Sequence, residues 1–360
     1  MSLTIQALTE QLISIPSVSS DFQQCKKAID FVEKLFDDTS YTIQRFEQNE
    51  VYSLIISRKQ ELDFDLLFFG HLDVVPGKDE LFQPKVKENW IYGRGAADMK
   101  GACAAMIRLF LDVEHLENMQ SCALVLTTDE EVGGDNGIGF LTREKELRAG
   151  TVFNPDGGAV LQPSLSQKGM FQFRLEAQGK SAHGSRPWQG SSAVALLLED
   201  WNRIYSCFEL ASESEQNKVS LNLGRIEGGK AANSVPENAY ALIDLRFPPT
   251  YSLSEIESMI AACLRHSTLT RLTSGDPVHV TESDRSYGIL QSILREQGYE
   301  PTGVHNNTGS DARWFSEQGS SILLMLPKST NGHIDEEAAD IDGLNELHLI
   351  MQSFVQRFYQ

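Results

Sequence analysis

Three short stretches put one imidazole and several carboxylates at spacings that suit metal-assisted hydrolysis. They are Gly70-His71-Leu72-Asp73, Gly95-Ala96-Ala97-Asp98-Met99-Lys100-Gly101 and Asp129-Glu130-Glu131-Val132-Gly133-Gly134. The first follows the apolar run Leu66-Leu67-Phe68-Phe69, too short for a helix and closed by Gly70, which reads as a strand buried on both faces. His71 then stands at that strand's carboxyl end. An imidazole that binds a metal through one nitrogen usually donates its other N–H to a carboxylate, and Asp73 is near enough in sequence to accept it. Taken alone, the tripeptide reads equally well as a surface turn.

The acidic stretch repeats this geometry after a second buried-strand pattern, Ala123-Leu124-Val125-Leu126-Thr127. Neighbouring residues in extended or turning backbone point in different directions. Glu131 can therefore face a metal while Glu130 faces the reacting water as general base. Without the other stretches this would be an ordinary solvated acidic loop; Gly133 and Gly134 favour tight backbone near a bound group. Asp156 follows Thr151-Val152-Phe153, and His333 lies shortly beyond Ser321-Ile322-Leu323-Leu324-Met325-Leu326. Four candidate ligands thus follow four strands, and open α/β sheets bind ligands at their strands' carboxyl ends. Asp98, just ahead of the helix-like Ala102 to Asp112, is the fifth. Two histidines, one for each of two metals, with Asp98 bridging and Glu131 and Asp156 as terminal carboxylates, form a nitrogen and oxygen set suited to paired zinc.

These stretches resemble the metallopeptidase family that contains carboxypeptidase G, acetylornithine deacetylase, succinyl-diaminopimelate desuccinylase and the aminoacylases, from the first helix to the last strand. The resemblance implies two zinc ions, with cobalt or manganese as alternatives. His71 and Asp156 would hold one ion, Glu131 and His333 the other, and Asp98 would bridge them, with Glu130 as general base and Asp73 orienting His71. A cis peptide would follow Asp98. The resemblance also implies a homodimer, in which His183 of Ser181-Ala182-His183-Gly184-Ser185-Arg186-Pro187 reaches the neighbouring subunit's site and stabilises the oxyanion. Asn233 would lie near the substrate and Arg246 would grip its carboxylate, a task suited to a bidentate guanidinium. Gly309 and Ser310 would offer backbone N–H groups to it. Read without the family, His183 is an exposed loop residue and Arg246 a strand-end arginine.

The elements that must position these residues change character along the chain. Asp21 to Phe36 reads as an amphipathic helix, with Asp21 as N-cap and Cys25, Ile29, Val32 and Phe36 on one face. After Lys168 the strands alternate: Phe171-Phe173-Leu175-Ala177, Val219-Leu221-Leu223 and Ala239-Ala241-Ile243-Leu245-Phe247. Between them lies a helix-like stretch from Ser191 to Phe208. Ser252 with Glu255 is a capping box for a helix reaching about His266, followed by a short strand near Leu269. This order is that of a split βαβ, ferredoxin-like sandwich. The expected fold is therefore α/β: a zinc-exopeptidase-like catalytic domain, residues 1–167 and 276–360, with a mixed, largely parallel sheet and helices on both faces. Residues 168–275 form an inserted α+β lid and dimerisation domain.

The formal charge of −19 disfavours nucleic acid or an anionic membrane surface as partner. The five cysteines show neither a CxxC pair nor framework spacing, and read as buried free thiols. No run approaches the roughly 20 apolar residues of a membrane helix and no basic-then-apolar leader opens the chain, so the expectation is a cytoplasmic protein. The expected substrate is an N-acyl amino acid (deacetylase or desuccinylase type), with dipeptides or short peptides as the alternative. A succinyl group would need a second cationic anchor, for which Lys168, Arg186, Lys230 and Arg313 are candidates. A nucleotide-binding reading rests only on Gly93-Arg94-Gly95, which lacks a third glycine and sets Asp98 where phosphates would go. A metal-bound but inactive binding module is the remaining rival, and the retention of Glu130 beside five ligand candidates speaks against it.

Overall fold

The computed structural model describes residues 3–116, 119–281 and 283–360. The chain divides into two compact units, Met1–Leu165 with His279–Asn306 and Ser310–Gln360, and Ser166–Val278 with Asn307–Gly309.

In the first unit a six-stranded sheet runs in the order Thr42–Gln48, Val51–Ser57, Cys122–Thr127, Asp63–His71, Arg148–Asn154, Ser321–Leu324. The first two junctions are antiparallel. The remaining three are parallel, so four strands point the same way. Their apolar runs are the ones legible in the sequence, and Val51–Ser57 and Cys122–Thr127 are buried along their whole length. Phe68 stacks on Phe153 at 5.5 Å and meets Phe110 of the Lys100–Val113 helix edge-on at 5.9 Å. Phe153 in turn meets Phe354 of the carboxy-terminal helix, Ile341–Phe358, at 5.5 Å. Aromatic pairs of this kind add to area burial and fix the two helices on the sheet.

The amino-terminal helix Ile5–Ile13 is anchored by an interior lysine. Lys100 is fully buried, and its Nζ donates to the carbonyls of Leu12 at 3.0 Å and Ile15 at 2.7 Å, at the end of that helix. Burial pushes its ammonium down to about 7. Lys100→Met keeps the stem but leaves each carbonyl with a backbone donor alone, Ile15 N–H on Leu12 at 3.2 Å and Ser17 N–H on Ile15 at 2.8 Å; a loss of about 1.5–3 kcal/mol in urea unfolding is expected, the range for hydrogen bonds to a charged group. An unchanged midpoint would mean that water replaces the ammonium.

The second unit is a four-stranded antiparallel sheet ordered Ser220–Gly228, Asn238–Phe247, Gly169–Gln178, Ser267–Gly275. Its core gathers the alternating Phe171, Phe173, Leu175, Ile243, Leu245 and Phe247 against the helices Ala193–Cys207 and Leu253–Cys263. The capping box of Ser252 and Glu255 is formed. Two expectations need correction. The capped helix stops at Cys263 rather than near His266, and the last strand is long, Ser267–Gly275. The buried carboxylate of Asp200 accepts the backbone N–H groups of Arg265, His266 and Ser267 at 2.9, 2.8 and 2.7 Å, which turns the chain early.

All five cysteines are free; Cys25, Cys103 and Cys122 are buried, whereas Cys207 and Cys263 are only half-buried. Among the described residues no helix is long and apolar enough to cross a membrane.

Candidate metal centre

The parallel strands bring their following residues to one edge of the sheet. His71 ends the central strand in register with Thr127, and Glu130 and Glu131 follow in a single 3-10 turn. Asp156 comes just after Arg148–Asn154, whose Asn154 side chain donates to the carbonyl of Phe69 at 2.9 Å and locks the neighbouring strand ends together. His333 sits in a turn at φ +69°, a region few side-chain-bearing residues occupy. The Asp98–Met99 peptide is cis, as the resemblance implies.

These residues converge in two groups. His71, Glu130 and Asp156 place their ligand atoms within 4.8 Å of one another, and Asp98, Glu131 and His333 do the same. Asp98 faces both imidazoles: Oδ1 is 3.2 Å from His71 Nε2 and Oδ2 is 2.8 Å from His333 Nε2. Glu131 Oε2 lies 3.2 Å from the same His333 nitrogen, while its Oε1 is buried without a hydrogen-bond partner. Glu130 Oε2 is 3.9 Å from His71 Nε2. So many acids in one low-dielectric place need cations. Burial first, then Asp98 and Glu130, push Asp156 well above the usual carboxylate range. Burial also drives Glu130 up to about 8, helped by Asp311, Asp73 and Asp98 and opposed by His71. The hydrogen bonds of Asp98 and then Glu131 raise His333 to about 10. Two divalent ions fit this donor set of imidazole nitrogens and carboxylate oxygens, including the orphaned oxygen of Glu131.

Asp73 does more than stand beside His71. Its carboxylate is 3.4 Å from His71 Nδ1, which lies closer, at 3.0 Å, to the backbone carbonyl of Asp73 itself. The same carboxylate accepts the backbone N–H groups of Glu130 and Glu131, both at 3.2 Å, and the hydroxyl of Ser19 at 2.7 Å. It therefore ties the acidic turn to the end of the His71 strand. Gly134 makes a close approach that no side chain would allow: a Cβ there would fall 1.9 Å from Asp311 Oδ2, and φ is +68°. Asp311 is fully buried and burial raises it to about 7, with Arg313 beside it at 2.9 Å.

One residue in this frame was not singled out from the sequence, and two others take a different place from the one expected. Glu337 was one more acid in the run after His333, yet it is buried; its Oε1 accepts the N–H groups of Ala97 at 3.0 Å and Asp98 at 3.1 Å. Its Oε2 pairs with Arg94 at 2.6 Å. Arg94 is thus committed inside the protein, which removes the phosphate-loop reading of Gly93-Arg94-Gly95. Arg313, a candidate substrate anchor, is buried between Asp311 and the carbonyl of Gly133, 2.7 Å from its Nη2.

Of the substrate-side candidates, Ser310 belongs to the first unit and His183, Asn233, Arg246 and Gly309 to the second. Within that unit the His183 loop pairs with the Asn233 loop: Gly184 N–H donates to the carbonyl of Asn233 at 2.7 Å, and His183 bridges Ser234. The exposed imidazole meets Ser185 Oγ at 2.8 Å. Arg246 Nε donates to Asp244 at 3.1 Å, so a substrate carboxylate would have to compete for it. Ser310 is buried.

The profile of peptidase family M20/M25/M40 matches residues 67–357. The chain belongs to that family. As an M20-family member it is a hydrolase of the metallopeptidase class. It is 28% identical to a succinyl-diaminopimelate desuccinylase of Xylella fastidiosa, with 96% of each chain covered. It is 25% identical to a protein of the same name from Halorhodospira halophila, with 99% of this chain and 98% of that one covered. The aminopeptidase PepT of Bacillus cereus shares the M20-family fold at a TM-score of 0.79 and 15% identity, over 100% of this chain and 99% of that one.

Proposed function

We propose that the protein hydrolyses the amide bond of an N-acyl amino acid, of deacetylase or desuccinylase type, at a two-metal centre. The observation that carries the reaction type is the placement of Asp98 with one carboxylate oxygen toward each of two imidazoles, His71 in one ligand group and His333 in the other. What favours an acyl amino acid over a peptide is the desuccinylase name of relatives that match nearly end to end. The peptidase neighbour, at 15% identity, speaks to the fold alone.

His71 and Asp156 would hold one ion, Glu131 and His333 the other, and Asp98 both. When bound, two divalent cations supply Lewis acidity at the carbonyl and lower the pKa of a bound water toward ~7. Glu130, largely shielded from solvent, takes the proton of the attacking water and passes it to the leaving amine. Asp73 holds the Glu130–Glu131 turn and the His71 ring in place through the bonds described above. Under the same reading residues 168–275 act as lid and dimerisation domain. His183 of a second copy donates to the developing oxyanion, and Asn233, Arg246, Gly309 and Ser310 hold the substrate.

The experiment is hydrolysis of N-acetyl and N-succinyl amino acids and unblocked dipeptides, with zinc-loaded and chelator-stripped protein side by side. Metal-dependent release of amino acid from the acylated compounds is expected. Cleavage confined to dipeptides would replace the deacylase reading by a peptidase one.

A further inference from the structure

Arg94 and Glu337 form a buried ion pair whose hydrogen bonds end on the two turns that carry Asp98 and His333. Glu337 Oε1 receives the N–H groups of Ala97 and Asp98. Arg94 Nη1 donates to Glu337 Oε2 at 2.6 Å and to the carbonyl of Ile334 at 3.2 Å, and its Nη2 donates to the carbonyl of His333 at 3.4 Å. One guanidinium and one carboxylate thereby fasten both turns in a single network. Both side chains are at least nine-tenths buried, Arg94 at 3% exposure and Glu337 at 1%. A buried ion pair is a poor source of net stability, because desolvation offsets most of the attraction. Its use must be sought in what it holds.

Main-chain links already join these segments, since Gly93 N–H donates to the carbonyl of Glu337 at 3.1 Å. They fix the backbone of residues 93 and 337, not the direction of Asp98 five residues beyond Gly93. The side-chain pair sets that direction. We propose that Arg94 and Glu337 are positioning residues that hold Asp98 and His333 relative to each other, so that the second ion binds tightly only while the pair is intact. This rests on the two-metal reading.

The effect should fall unevenly. The ion beside His71 and Asp156 draws on only one of these turns, through Asp98, whereas Asp98 and His333 supply two of the three residues in the other group. Glu337→Gln keeps the shape and one acceptor but sets an amide against Arg94. Arg94→Lys keeps the charge but loses the fork that reaches two carbonyls and a carboxylate at once. Zinc titration of the full-length protein against a chromophoric chelator is the measurement, with hydrogen exchange at the Ala97 and Asp98 amides as a readout independent of turnover. In the wild type two equivalents should bind tightly. In each variant the second should weaken about 10–100-fold, the usual effect of removing a partner that orients a ligand, and the first, which shares only Asp98 with these turns, should weaken less, with faster exchange at Ala97 and Asp98. Arg94→Lys carries the test if Glu337→Gln does not fold. Two equivalents at wild-type affinity with unchanged exchange would overturn the positioning role while leaving the two-metal reading intact. Failure of the wild type to take up metal would overturn both.

Discussion

Glu130→Ala is expected to lower kcat by about 10²–10⁴, the range a positioned general base supplies, while leaving metal content largely intact. Glu130 is held by its own backbone N–H on Asp73 and lies 3.9 Å from His71 Nε2, beside the ligands. Removing its side chain leaves Asp98, Glu131, Asp156 and both histidines to hold the ions. Metal analysis after dialysis and steady-state kinetics on the same preparation separate the two effects. KM should move much less than kcat, because a base acts on the reacting water rather than on the bound substrate. Near-normal turnover would take the proton-transfer role away from Glu130.

Asp98→Ala is expected to cost both ions. Its two oxygens face one imidazole each, so its loss leaves either group without its shared anion and sets two metals against each other without a screening carboxylate. The affinity for zinc should fall by more than the roughly 100-fold reached when only an orienting partner is removed, and turnover should vanish with it. His71→Ala makes the contrast, since it strips one group only. If the Asp98 variant keeps one ion at wild-type affinity, Asp98 serves a single metal and the bridging assignment fails.

The convergence of His71, Glu131, Asp156 and His333 was legible because each follows a run of apolar residues too short for a helix, and strand ends converge in a parallel sheet whatever their separation in sequence; Asp98 stands instead ahead of the Lys100–Val113 helix. The two alternating strands around Ala193–Cys207 and the capping box at Ser252 were equally readable, since period and cap chemistry are local. What escaped depends on contacts between distant segments. Glu337 and Asp335 are both acids after His333, yet one is buried under the Asp98 turn and the other pairs with exposed Lys78 at the surface. Nothing in their spacing tells them apart. The early stop at Cys263 is likewise set by Asp200, a residue of another helix. The second task of Asp73, binding the Glu130–Glu131 amides, needs the neighbouring strands in register before it can be seen.

The order of strands in the six-stranded sheet sets a timetable for the chain's birth. Cys122–Thr127, Asp63–His71 and Arg148–Asn154 lie side by side and are complete once Asn154 has been made. The edge strand Ser321–Leu324 and His333 emerge only after the whole Ser166–Val278 unit. His71, Glu130 and Asp156 are thus all synthesised long before the other group receives its histidine, and the contacts that close that long loop come last. The hydrolase should therefore switch on in a single step near the end of synthesis, and fragments ending before His333 should be inert however well their sheet is formed.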